Sequence, residues 1–194
     1  MNTKTQNAVN AIFNAVNASL DSRILNADND NAKRELKQAK QLFSVHLATV
    51  MYSEKIDVEN VASIIALNDK NNDNFFAQKA LIKYFKLLKT LSQNIDNLDR
   101  YTRNYITSML LLKDSATNEQ IQKGMSKAIA LNDTELSLRA NQLHIATSTS
   151  STQASSTRKM LQYANLISYD SKSKMQAFKD SATRDRLATI VKFA

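Results

Sequence analysis

Between Ile145 and Ile167 the chain reads IATSTSSTQASSTRKMLQYANLI, a run of hydroxyls followed by one arginine, one lysine, a glutamine and an apolar close. Such groups suit recognition of a polyanion rather than bond-breaking. Guanidinium and amide side chains pair with base edges, while hydroxyls and ammonium groups reach phosphates. Counted as a helix from Ser151, the stretch places Ser151, Thr152, Ser155, Arg158, Lys159 and Gln162 on one face. Ala154, Thr157, Met160, Leu161, Ala164 and Ile167 gather on the other. The same two-faced pattern also describes an ordinary surface helix that meets only water.

A second basic constellation lies in QKALIKYFKLLKTL, where Lys79, Lys83, Lys86 and Lys89 recur at spacings of four, three and three. At helical pitch they share one side, with Leu81, Tyr84, Phe85, Leu88 and Leu91 opposite. Lys79, Lys83 and Lys86 are therefore candidates for phosphate contact, and a basic amphipathic helix of this kind also fits a membrane surface. A solvated face over a core-packed helix has the same spacing. In DRYTRNY, Arg100 and Arg103 stand beside Tyr101 and Tyr105, a pairing able to stack on bases. Lys172 and Lys174 open a C-terminal segment, 171–194, with six cations against Asp180 and Asp185, and they complete the candidate set.

Catalytic chemistry has little to stand on. Phosphate-cradling loops need several glycines, and Gly124 is alone. His46 and His144 lie in helical segments without a carboxylate–histidine motif around either. No serine sits in a Gly-flanked nucleophile elbow. No catalytic residue, metal ligand or cofactor is expected, and the protein reads as a non-enzyme.

The elements that must carry these residues follow from composition. One glycine and no proline leave few of the usual makers of tight turns, which disfavours a β-rich fold. Twenty asparagines, clustered as in NADNDN (26–31) and NDKNNDN (68–74), supply turns and caps instead. The expected fold class is all-α, a multi-helix bundle of about nine helices with two helical subdomains as an option. Val9, Ile12, Phe13, Val16 and Leu20 mark the first helix; Leu36, Ala39, Phe43, Leu47 and Val50 mark one continuous second helix. Asp57, Asn74 and Asp96 or Asp99 cap the next three, and Thr117 with Gln120 has capping-box spacing for a sixth. A seventh follows Asp133, Thr147–Ser150 forms a turn, an eighth runs to Ile167, and a ninth extends from Ser171 to the end.

Charge is uneven along this frame. Residues 1–60 carry seven basic and seven acidic groups, whereas 121–194 carry eleven and five, most of the net +8 of the whole chain. The best seam is LKDSATNE (112–119), giving an N-terminal region 1–113 for dimerisation or partner contact and a basic C-terminal region 114–194. No apolar run approaches a membrane span, no export signal is evident at the N-terminus, and cysteine is absent. A cytoplasmic location is expected.

Within 118–168, three successive helices with a polar turn and a hydroxyl-rich third helix ending in NLI (165–167) resemble the helix-turn-helix of winged-helix-type regulators. That family commonly ends its third helix in a GLI-like sequence. The resemblance implies that Thr152, Ser155, Arg158, Lys159 and Gln162 face nucleic acid. Two departures stand beside it: the turn lacks glycine, and the sequence after Ile167 reads as helix rather than as a β wing. The expected function is nucleic-acid binding, DNA before RNA, as a regulator or replication accessory factor with a homo-oligomeric or protein contact through its N-terminal half. The alternative is a helical structural, scaffolding or protein-inhibiting assembly protein of phage or mobile-element type.

Overall fold

The structure, a computed structural model, describes residues 2–66, 75–112, 115–126, 145–179 and 181–191. The chain is mostly helical with one small three-stranded sheet, and it divides into two compact units, Met1–Gln93 and Asn94–Ala194.

The first unit is built from α1 (Thr3–Leu25), α2 (Asp30–Leu42), α3 (Val45–Ser53), α4 (Val58–Ala66) and α5 (Phe75–Gln93). Short polar residues start the first four of these helices. The side chains of Asn2, Asn29 and Ser44 accept from the backbone N–H groups of Thr5, Ala32 and Leu47, and Asp57 accepts from Glu59. The expected second helix is thus two. Its apolar set Leu36, Ala39, Phe43, Leu47 and Val50 is buried as expected. However, Phe43 turns extended and Ser44 caps a new helix, because a serine side chain competes for backbone donors. Phe43 stacks on Phe13 at 5.8 Å and meets Phe85 at 5.1 Å, joining α1, α2 and α5. α5 packs against α2, α3 and α4, which explains the burial of Leu81, Tyr84, Phe85, Leu87 and Leu88 together.

The second unit runs α6 (Arg100–Leu111), β1 (Ser115–Thr117), α7 (Asn118–Met125), α8 (Thr147–Tyr163), β2 (Ile167–Tyr169), β3 (Met175–Phe178) and α9 (Ser181–Val191). Asp99 caps α6 by accepting from Tyr101 and Thr102. Thr117 and Gln120 form the expected capping box at α7. The strands lie antiparallel in the order β1-β3-β2, with Ala116 and Tyr169 both opposite Gln176. Tyr105, Ile106, Met109, Ile121, Met125, Met160, Leu161, Ile167 and Leu187 form the core between helices and sheet.

The helix expected from Ser171 onward is a hairpin followed by the shorter α9. Ile-Ser-Tyr alternates buried and exposed as a strand does, and Asn165 and Lys174 take left-handed backbone at φ 59° where glycine is usual. The all-α class holds, while among the described residues the expected second helix is two and the expected ninth is shorter and preceded by strands. The expected seventh helix, the Asn74 cap and His144 lie outside the described residues.

Candidate nucleic-acid interface

Helix α8 begins at Thr147, so the four residues expected as a turn are its first turn. Ser150 and Ser156 donate to the carbonyls of Thr147 and Gln153 at 2.8 and 3.1 Å. By bonding their own backbone, these inward hydroxyls can be buried with Gln153, Ala154, Thr157, Met160 and Leu161. Ser151 and Ser155 are exposed; Thr152, Arg158, Lys159 and Gln162 are half-buried. The two faces are thus those that spacing predicts, and no carboxylate occurs from Thr147 to Tyr163.

The helix ends in a tight cap. Asn165 donates to Gln162 at 3.0 Å and Leu166 to Leu161 at 2.9 Å, the paired bonds that close a helix through one left-handed residue. Asn165 occupies the place of glycine in a GLI-like ending, which turns Ile167 directly into β2. The loop between β2 and β3 is then folded by Asp170. Its carboxylate accepts from the Ser173 hydroxyl at 2.5 Å and from the Lys172 and Ser173 N–H groups at 2.9 and 3.3 Å. The hydroxyl bond and the backbone bonds hold that carboxyl below the usual range. Lys172 and Lys174 are exposed in this loop, and the Lys174 carbonyl accepts from Asn118 N–H at 3.2 Å. That bond fastens the far end of the loop to the start of α7.

Arg158 has two partners within the fold. Its guanidinium lies 4.1 Å from the Tyr169 ring centroid, and one terminal nitrogen donates to Asn118 Oδ1 at 3.2 Å. The same oxygen accepts from Gln176 Nε2 at 3.2 Å, Asn118 Nδ2 donates to the Tyr169 hydroxyl at 3.3 Å, and the Tyr105 hydroxyl donates to Gln176 Oε1. Burial pushes the Tyr105 hydroxyl well above the ordinary tyrosine range and keeps it a neutral donor. A chain of polar groups thereby links α6, β3, α7, α8 and β2. Asn118, Tyr169 and Gln176 were not singled out from sequence; the alternation in ISY and MQAF was the available signal.

The lysines of α5 do not form the expected ridge. Lys83 is 4% exposed, Lys79 and Lys86 are half-buried, and Lys89 is exposed. Three neighbouring helices cover α5, leaving too little of its surface for a solvated stripe. The paired tyrosines of α6 also part: Tyr105 is fully buried, and Arg103 pairs with Asp96 at 2.5 Å. His46 is exposed with Nε2 3.3 Å from the Ser92 hydroxyl. Among the described residues no group of three or more His, Cys, Asp or Glu side chains comes together to hold a metal, and no helix is long and apolar enough to cross a membrane. The chain matches no protein-family profile, no curated protein and no solved structure.

Proposed function

We propose that the second unit is a non-enzymatic nucleic-acid-binding module, for DNA rather than RNA, that works in the manner of a winged helix-turn-helix. The protein would then serve in the cytoplasm as a small regulator or replication accessory factor, its first unit providing dimerisation or partner contact. One observation carries this reading: an acid-free outward face on α8 runs directly, through the Asn165 cap, into a hairpin whose loop exposes Lys172 and Lys174. The element order α6, β1, α7, α8, β2, β3 with strand order β1-β3-β2 supports it further. Helix-turn-helix proteins set such a third helix in the major groove, and lysines on a neighbouring loop reach phosphates across the groove edge.

Ser151, Thr152, Ser155, Lys159 and Gln162 are the reading positions, and Lys172 and Lys174 the phosphate contacts. Anisotropy of a labelled mixed-sequence duplex should give log affinity falling linearly with log salt. Lys159→Ala with Gln162→Ala should weaken binding at low salt, and Lys172→Gln with Lys174→Asn should lower the salt slope by about one per lysine. Wild-type-like binding by both double variants would exclude these faces. No binding at low salt, combined with a large defined oligomer in light scattering, would instead point to an assembly role.

A further inference from the structure

We infer that Arg158 is a positioning residue, which fixes the lysine-bearing hairpin against α8 rather than contacting nucleic acid itself. The inference rests on α8 and the hairpin facing nucleic acid together. Arg158 is the cation at the centre of the α8 polar face, so sequence spacing alone makes it a reading group. Its surroundings give it other work. The guanidinium carbon lies over the ring of Tyr169, the last residue of β2, and a terminal nitrogen bonds Asn118, the first residue of α7. Its Nε is buried and has no hydrogen-bond acceptor among the described residues, so this nitrogen is closed to a phosphate as well.

Both partners of Arg158 lead to the loop. Tyr169 precedes Asp170, which folds the loop, and the Asn118 N–H holds the Lys174 carbonyl at its other end. Asn118 also bonds Gln176 in the central strand, which Tyr105 of α6 holds in turn. One side chain of α8 therefore touches both anchors of the loop carrying Lys172 and Lys174. A planar, stacked guanidinium can make this pair of contacts, and a lysine ammonium cannot reproduce it.

The test uses the full-length chain in four forms: wild type, Arg158→Lys, Arg158→Ala and Tyr169→Leu, each with and without Lys172→Gln and Lys174→Asn. Amide exchange across 167–178 and duplex anisotropy against salt are the readouts, with exchange across α6 (100–111), in the same unit, as the check on folding. Loss of the stack and its bond should raise hairpin exchange on the order of tenfold in Arg158→Lys and Tyr169→Leu. In those backgrounds the loop substitutions should no longer change the salt slope, although they lower it by about two in wild type. Two results would overturn the inference: hairpin exchange unchanged in all three variants, or wild-type affinity in Arg158→Lys with loop substitutions fully additive. The second would make Arg158 a direct phosphate contact. If wild type binds no duplex at low salt, the nucleic-acid reading fails, and hairpin exchange alone decides whether Arg158 holds the loop.

Discussion

Tyr105 and Gln176 meet across 71 positions of sequence, and what they do depends on burial more than on residue type. A fully buried amide oxygen needs a donor, and the tyrosine hydroxyl supplies it. Tyr105→Phe should therefore cost about 1–3 kcal/mol, since Gln176 is left with an unpaired acceptor; urea unfolding reads this directly. Burial also raises the ionisation of Tyr84 and Tyr105 above the ordinary tyrosine value. The folded state then holds both protons more tightly than the unfolded chain. As pH climbs past about 10, the unfolded chain deprotonates first and stability falls. Thermal unfolding across that range should show a decline, shallower in Tyr105→Phe because one of the two groups is gone. Sequence presented Tyr105 as a base-stacking residue beside Arg103, and nothing local to α6 distinguishes that role from a buried one.

At the scale of elements, the helix starts at Asp57, Asp99 and Thr117 were legible because they are local chemistry. Thr117 and Gln120 satisfy each other's backbone N–H groups at 3.2 and 2.8 Å, a closure that needs only residues three apart. Thr117→Ala removes one half of it and should destabilise α7 by about 1 kcal/mol, checked as a shift in the urea midpoint with unchanged slope. The apolar face of α8 was legible for the same reason, since Met160 and Leu161 follow from helical pitch. The hairpin was not. Its strands are three and four residues long, its corners use Asn165 and Lys174 in place of glycine, and β3 is completed by β1, about sixty residues earlier in the chain. Segments so short carry little periodicity, and only their pairing makes them strands.

For the whole molecule, composition set the class and charge set the emphasis. One glycine and no proline leave helices joined by asparagine-rich segments as the natural solution. The basic excess of 121–194 lies in the second unit. The first unit carries cations as well, but Lys83 is buried and Lys79 and Lys86 are partly covered. Lys79→Gln with Lys86→Gln should therefore leave the salt slope of duplex binding unchanged, whereas Lys172→Gln with Lys174→Asn lowers it. A fall of about one per α5 lysine would show that α5 contributes phosphate contacts after all.

By itself the sequence determined the helical class, the helix starts at Asn29, Asp57, Asp99 and Thr117, the buried set from Leu36 to Val50, and the two faces of α8. Each of these rests on residues within a few turns of one another, where pitch and capping chemistry act without help from the rest of the chain. Only the tertiary structure decided that residues after Ile167 pair as strands, that Lys83 is covered, and that Arg158 is held by Tyr169 and Asn118. Those outcomes depend on partners 11 and 40 positions away from Arg158 and on three helices surrounding α5. A cation on a helix face is the same residue in either case. Whether it meets water, phosphate or an aromatic ring is fixed by what the fold brings against it.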